Sequence, residues 1–385
     1  MDNFTFYNPT RVIFGKGAIS NLPGYLPSEQ TILMLYGGGS IKKNFVYTAV
    51  QAALSGFRVV EFGGITSNPE YETCSQVIEL VLREKIGFIL AVGGGSVIDA
   101  AKLIAAAAQN PKVDAWDIVT KKAPFNGALP VGVVLTLAAT GSEMNNISVI
   151  SRLSTQEKFA FSSDALFPHF AILDPHTTDS LPVNQIRNGL VDAFIHVGEQ
   201  YMTFHNHNPL VDRQAEAIFN TLIEVASDAL LIPANYNARA AYMWCATQAL
   251  NGHLRCGAVQ DWATHRIGHE LTALYGLAHA ETLAPIWISL LRYKMQDKLE
   301  KLVQYGQRVW NLQGKNHQEL AEQAIAKTEL FFNRVGMPTH LKDYNIDVEE
   351  AAREIEHRFT ERAVVWGERQ DVTPKRSAEI VRNAV

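Results

Sequence analysis

Aspartate and histidine recur in this chain at spacings that suit a metal ion. Asp192-Ala-Phe-Ile-His196 sets a carboxylate and an imidazole four residues apart, on one face of a predicted helix. Farther along, His265-Arg-Ile-Gly-His269-Glu270 is followed by Gly276-Leu-Ala-His279. The chain holds 12 histidines, so a chance pair is unsurprising, and a lone Asp-x3-His is more often a surface pair than a ligand set. Length restricts the downstream histidines. As continuous helix, the stretch from 265 to 279 would be about 21 Å long, whereas metal–nitrogen bonds are about 2.1 Å. One ion could hold His265 and His279 only if the chain reverses between them, and Tyr275-Gly276-Leu277 is where glycine permits it. The alternative pair is His265 with His269, already one helical turn apart. His269-Glu270 opens an HExxH pattern, but residue 273 is Ala, which excludes a zinc protease of that type.

A second kind of chemistry is written in glycine. Gly37-Gly38-Gly39-Ser40 and Gly93-Gly94-Gly95-Ser96 each follow a predicted strand. Neither is GxGxxG, yet the logic is similar: glycine lets backbone approach a phosphate, and a following helix N-terminus aims N–H groups at it. Ser96 and Asp99 also have the spacing of a capping box, a role compatible with a phosphate cradle at the same helix end. The first loop also reads as a plain exit from a strand. A third segment, Thr136 to Glu143, places the hydroxyls of Thr136, Thr140 and Ser142 after another strand.

The elements that must position these groups divide the chain in two. Apolar runs at 31–36, 58–62, 88–92, 131–135 and 170–173 read as buried strands, with helices predicted at 71–84 and 97–108 between them. Strand–helix alternation implies a parallel sheet covered on both faces. After Asp174-Pro175 the texture turns helical, with predicted helices at 211–227, 238–250 and 299–310. The expected domains are 1–178, α/β and dinucleotide-binding, and 179–385, all-helical, with the ligand site in a cleft between them.

Composition narrows the function classes. A net charge of -5 without a Lys/Arg block argues against nucleic acid. No apolar run reaches the ~18 residues that span a bilayer, and the N-terminus lacks the pattern of a signal peptide. Three cysteines without a CxxC pair suit a reducing compartment, so a cytoplasmic enzyme is expected.

Taken together and in order, Gly93-Gly-Gly-Ser-Val-Ile-Asp99, Thr136–Glu143, Asp192-Ala-Phe-Ile-His196 and His265…His279 resemble the iron-containing (type III) alcohol dehydrogenases. The chain looks closest to their NADPH-dependent aldehyde reductase and butanol dehydrogenase branch. The resemblance runs almost end to end, from Arg11-Val-Ile-Phe-Gly-Lys-Gly17 onward. It implies a dehydroquinate synthase-like fold, with an α/β N-terminal Rossmann-like domain plus an all-α C-terminal domain, and a homodimer. It implies that Asp192, His196, His265 and His279 hold one divalent ion, Fe2+ or Zn2+. It also implies cofactor contacts from Gly94, Gly95, Ser96, Asp99, Thr136, Thr140 and Lys158, with Asn68 and Ser40 near the adenosine end. His269 matches a histidine that lines the substrate side. His205-Asn206-His207 has no counterpart in the family's pattern and reads as a solvated loop.

The chemistry expected is hydride transfer between NADP(H) and a small aldehyde or primary alcohol, the ion acting as Lewis acid on the oxygen. His269, the titratable residue left over from the ligand set, would supply the proton, since an imidazole titrates near pH ~6.5; its alternative role is structural support. Trp262, Leu271 and Leu274 suggest a pocket of limited polarity. NADP(H) is expected over NAD(H) because relatives favouring NAD carry an Asp after the first βαβ strand. Gly37-Gly38-Gly39-Ser40 has no acid before Glu61, and Lys42 and Lys43 follow it. A polyol dehydrogenase of the same fold is the nearest rival. A sugar-phosphate cyclase is a more distant one, since only Arg255 and Arg266 lie near the ligands.

Overall fold

The computed structural model describes residues 1–204 and 207–385; His205 and Asn206, two of the three residues read as a solvated loop, lie outside the described residues. The strands are β1 (Arg11–Phe14), β2 (Thr31–Gly37), β3 (Val59–Ile65), β4 (Ile86–Gly94), β5 (Val131–Leu137), β6 (Ile147–Arg152), β7 (Glu157–Ser162) and β8 (Phe170–Leu173). The α-helices are α1 (Phe45–Ala53), α2 (Tyr71–Arg83), α3 (Gly95–Gln109), α4 (Ala115–Val119), α5 (Val183–Tyr201), α6 (Pro209–Ala229) and α7 (Tyr236–Ala249). They continue with α8 (Ala263–Tyr275), α9 (His279–Tyr293), α10 (Leu299–Arg308), α11 (His317–Arg334), α12 (Val348–Glu361) and α13 (Pro374–Arg382).

Contacts divide the chain into two compact units. The first holds Tyr7–Ile186 and Leu231–Asn251; the second holds Met1–Phe6, Arg187–Leu230 and Gly252–Val385. A single cut at 178/179 therefore does not follow the contacts, because α7 returns to the sheet-bearing unit. The physical reason is local. The Tyr242 hydroxyl of α7 donates to the carbonyl of Ala138, and Thr247 Oγ1 donates to Glu143 Oε1 at 2.6 Å, so α7 braces the segment that follows β5.

In the sheet unit six strands run parallel in the order β1-β8-β5-β4-β2-β3. The apolar runs become strands because both faces are covered: every residue from Thr31 to Tyr36 is buried, as is nearly all of β4. Helix α3 is buried almost all round, and alanine at 100, 101 and 105–108 keeps it slim enough to lie close to the sheet. Two features went unpredicted. The β6–β7 hairpin turns through Leu153–Thr155 and a left-handed Gln156 (φ 49), with no glycine to announce it. Strand β1 is four residues at the sheet edge, too short for an alternation to register.

In the helical unit a core formed by Ala263, Ile267 and Leu271 of α8, Ile286 and Leu290 of α9, and apolar residues of α12 and α13 fixes the helix that carries two of the histidines. Buried charges fix its ends. Lys298 Nζ donates to Asp261 Oδ2 at 2.7 Å, to Glu368 Oε1 at 2.9 Å and to the Met202 carbonyl at 2.5 Å. Asp261 Oδ1 in turn accepts the Ala263 N–H at the start of α8. Near the other end, Glu270 pairs with Arg358 and Arg362 of the α12 segment. Breaking a buried ion cluster by removing one member costs about 3–5 kcal/mol. Lys298→Met, which leaves Asp261 and Glu368 facing one another, is expected to lower unfolding stability in urea by about that much. An unchanged unfolding midpoint would show that the cluster does not hold α8.

Candidate metal centre and cofactor loops

Asp192 and His196 lie one turn apart on α5, each 3% exposed. Helix α8 carries His265 and His269 and stops at Tyr275; Gly276 takes the left-handed conformation (φ 68), its N–H bonds back to Thr272 O, and α9 begins at His279. The reversal that the spacing demanded is thus a glycine-terminated helix hairpin. Gly268 lets the two helices close, since a Cβ there would sit 2.7 Å from Leu283 Cδ2. Glu281, in the first turn of α9, accepts the Ala278 N–H at 3.3 Å and Arg187 Nη2 at 3.2 Å, which fixes His279 at the helix start.

The outcome is a convergence of ligand atoms. Asp192, His265 and His279 each offer one atom, all within 4.8 Å of one another. Asp192 Oδ1 lies 3.7 Å from His196 Nδ1, 4.0 Å from His265 Nε2 and 3.9 Å from His279 Nε2. These separations are too long for hydrogen bonds and close to the ~3.4 Å edges of a tetrahedron with ~2.1 Å bonds. The set fits one divalent cation. His196 is stacked on His265 with centroids 4.6 Å apart, beside the tight trio of Asp192, His265 and His279. Burial pushes the His196 pKa down to about 4, so its ring is neutral and can ligate near neutral pH. His269 is buried with its ring 5.2 Å from that of His279 and 6.4 Å from that of His265. It is beside the cluster and outside the trio.

One residue here was missed in the sequence. Glu199, 0% exposed, accepts the Thr264 N–H at 2.7 Å and the His265 N–H at 3.2 Å, and bonds His265 Nδ1. Its carboxylate caps α8 from α5 and leaves His265 Nε2 directed at Asp192. Burial raises its pKa to about 8, the Asp261 carboxylate adding to the effect and the two N–H groups opposing it. The signal was present: Glu199 follows His196 by three residues on the Asp192/His196 face.

The glycine loops meet at a topological switch point. Strands β2 and β4 are neighbours, yet the chain leaves β2 toward β3 on one side and leaves β4 toward β5 on the other. A crevice outside the carboxyl ends of such strands is where open α/β sheets bind ligands. Gly37 ends β2, Gly38 follows, and Gly39 (φ 89) turns the chain into a short 3-10 turn at Ser40–Lys43. The second loop is tighter than expected: β4 runs to Gly94, α3 starts at Gly95, and Ser96 lies inside the helix. No side chain caps α3, so the capping-box role of Ser96 and Asp99 is not realised, and the helix end is left to an outside acceptor. The glycines are required by contact. A Cβ on Gly93 would lie 2.4 Å from Val97 Cγ2, and one on Gly95 would lie 2.4 Å from Thr140 Oγ1.

Asp99 is buried and turned inward. Its Oδ1 accepts the Ser142 hydroxyl at 2.5 Å and its Oδ2 the Val149 N–H at 3.0 Å. Lys102, fully buried and also missed, donates to Ser142 Oγ at 2.7 Å, Asn145 Oδ1 at 3.2 Å and the Ile147 carbonyl at 2.7 Å. Asp99 and Ser142 thus tie the segment after β5 to α3. Thr136 sits at the end of β5, and Thr140 packs on Gly95 and accepts the Ser142 N–H. Lys158, on β7, donates to Asn68 Oδ1 at 2.8 Å, which joins two of the expected contacts directly.

Residues 9–175 match the family described as iron-containing alcohol dehydrogenase, and residues 186–385 match the C-terminal domain of the same family. The chain belongs to the iron-containing alcohol dehydrogenases. Among this family's members it is 50% identical over 349 residues to the NADPH-dependent aldehyde reductase YqhD of Escherichia coli K12, with 90% of each chain covered. It is 42% identical to the NADP-dependent alcohol dehydrogenase 3 of Entamoeba histolytica, with 91% of each covered. The crystal structure of E. coli YqhD superposes with a TM-score of 0.97 at 47% identity, covering 100% of this chain and 99% of that one. The NADH-dependent butanol dehydrogenase A of Thermotoga maritima gives 0.94 at 34%, with the same coverage.

For this family member, Gly95→Ala is expected to push Thr140 into the cradle. NADPH affinity, measured by fluorescence titration, should fall at least about ten-fold while metal content holds, as neither Gly95 nor Thr140 offers a ligand atom to the Asp192, His265 and His279 trio. Glu199→Gln is expected to weaken metal affinity about 10–100-fold, the usual effect of losing a group that orients a ligating histidine. Competition with a chelator measures it, and unaltered affinity would remove Glu199 from the site.

Proposed function

We propose that this iron-containing alcohol dehydrogenase reduces small aldehydes to primary alcohols, and runs the reverse oxidation, with NADP(H) preferred over NAD(H). Asp192, His196, His265 and His279 would hold one divalent ion, Fe2+ or Zn2+. The observation that carries the reading is the trio of Asp192, His265 and His279 within 4.8 Å, reached only through the hairpin at Gly276. A bound ion supplies Lewis acidity at the carbonyl oxygen, and the dinucleotide supplies the hydride. The chain's residues do the rest. One aspartate and three neutral imidazoles leave a positive field toward an oxygen gaining negative charge. An imidazole nitrogen of His269 delivers the proton that completes the alcohol. The Gly94–Gly95 helix start and Ser96 receive the pyrophosphate, with Thr136, Thr140 and Lys158 around it.

Several features support the NADP(H) preference. Gly37, Gly38, Gly39 and Ser40 offer no carboxylate to repel a 2′-phosphate. Glu61, the first acid after them, is occupied: it accepts the Tyr47 hydroxyl at 2.9 Å and the Gln51 amide at 2.6 Å, with Lys42 Nζ 3.9 Å away. The E. coli relative is named for NADPH. Against a phosphate-handling cyclase, the Arg266 guanidinium lies over the Trp366 ring at 4.9 Å. The same reading carries the expectation of a cytoplasmic homodimer, supported by the family resemblance and by three free cysteines. Among the described residues no helix is long and apolar enough to cross a membrane.

The test is a panel of aldehydes and alcohols assayed with NADPH and NADH on protein of measured metal content. His265→Ala and His279→Ala should lose metal and activity together; a metal-replete, active His279→Ala protein would sink the assignment. His269→Ala should keep its metal and lose turnover by about 10²–10⁴-fold, the range for removing a general acid. Gly38→Asp should move the kcat/KM ratio toward NADH. Wild-type protein working better with NADH than with NADPH at equal concentration would overturn the preference.

A further inference from the structure

Trp262 immediately precedes α8 in a left-handed conformation, φ 65 and ψ 4. Bulky L residues rarely take it, and glycine would take it without strain. Strain of this kind persists where surrounding structure enforces it, often at functional sites. Here the enforcement is visible. The indole Nε1 donates to Gln260 Oε1 at 2.8 Å, Gln260 Nε2 donates to Gln200 Oε1 at 3.0 Å, and Gln200 Nε2 donates to the His196 carbonyl at 2.8 Å. The chain of bonds ties the indole to the helix that carries Asp192 and His196.

The ring held this way lies against the metal-site imidazoles. Its centroid is 5.1 Å from that of His265, edge-on at 75°, and 6.2 Å from that of His196. Asp192, His196 and His265 are sealed, whereas Trp262 and His279 keep partly exposed surface. Leu271, one of the two leucines of α8, packs into the core with α12 and α13 and is spent there. We propose that the Trp262 indole is the apolar wall of the substrate pocket beside the ligand cluster. By contact with the alkyl part of the substrate, it makes the enzyme discriminate among aldehydes by chain length and branching. The inference rests on the aldehyde-reductase reading above and adds a specificity-determining residue to it.

The experiment compares wild type, Trp262→Gly and Trp262→Phe. The glycine variant removes the wall and relieves the backbone strain, which favours a folded protein; the phenylalanine variant keeps a ring and loses the bond to Gln260. Metal content is measured first. KM and kcat with NADPH follow for ethanal, butanal and 2-methylpropanal, and acetamide and butanamide, unreactive analogues, are titrated by calorimetry. In Trp262→Gly metal should be retained. KM for butanal should rise about ten-fold or more relative to ethanal, the scale on which a pocket reads methylene groups. Butanamide should lose affinity in parallel, and the penalty on 2-methylpropanal should shrink; Trp262→Phe should fall between. An unchanged butanal-to-ethanal KM ratio in a metal-replete variant overturns this inference alone. Loss of metal from both variants also overturns it, assigning the indole to ligand support. A wild-type protein that reduces none of these aldehydes overturns the functional reading and this inference together.

Discussion

The helical unit depends on the carboxylate of Glu199. It stands on α5 and meets three hydrogens of α8: the backbone N–H groups of Thr264 and His265, and the His265 ring at Nδ1. A helix start buried without acceptors is costly, and a buried carboxylate without donors more so. Each removes the other's cost, and the bond leaves Nε2 aimed at Asp192. Fold and site are thus secured by one contact. The two histidine-bearing elements cannot drift apart without leaving a buried carboxyl and two buried N–H groups without partners.

Around that contact the charges are arranged so that each buried ion has a fixed partner. Lys298 holds the Asp261 side of α8 and the turn that carries Glu368, while Glu270 is held between Arg358 and Arg362. The Lys298 ammonium has its pKa raised by Asp261 and Glu368 against the downward pull of burial, consistent with a cation that stays charged. In the sheet unit Lys102 has the same role under a different load. Burial brings its pKa down to about 8 against the pull of two carboxyl groups, Asp99 and Glu143, while three oxygen acceptors hold its position. Both lysines join segments distant in sequence, which apolar packing alone aligns only loosely.

How much of this was legible followed from the range of each interaction. The strands at β2, β4 and β5 and the helices α2, α3 and α6 were readable because periodicity and burial are local properties. The hairpin between His265 and His279 was readable as the condition for one ion to hold both, with Gly276 as the turn, although the His265/His269 pair remained open until the structure placed the rings. What escaped was set at long range. Helix α7 looks like any other helix of the second half, and long-range bonds from Arg239, Tyr242 and Thr247 to Thr178, Ala138 and Glu143 place it with the sheet. Asp99 reads as a capping residue by spacing, but the chain leaves β4 so abruptly at Gly94 that no non-helical position remains for Ser96 to cap. Lys102 and Glu199 reveal their roles through partners 40 and 65 residues away.

The starts of α3 and α8 show why similar helix ends do different chemistry. Both begin with N–H groups pointing out of the helix and the positive end of its dipole. At α8 those groups are consumed by Asp261 and Glu199, so the end is electrically closed, and what it presents is a side chain, the oriented imidazole of His265. At α3 no side chain caps the end, and the acids that could have done so are absent or, like Asp99, turned inward to Ser142 and Val149. The glycines then strip away the Cβ atoms that would fill the approach. A helix start stays available to an anionic cofactor only if the protein withholds its own carboxylates from it, and a helix start can carry a metal ligand in fixed orientation only if it does not.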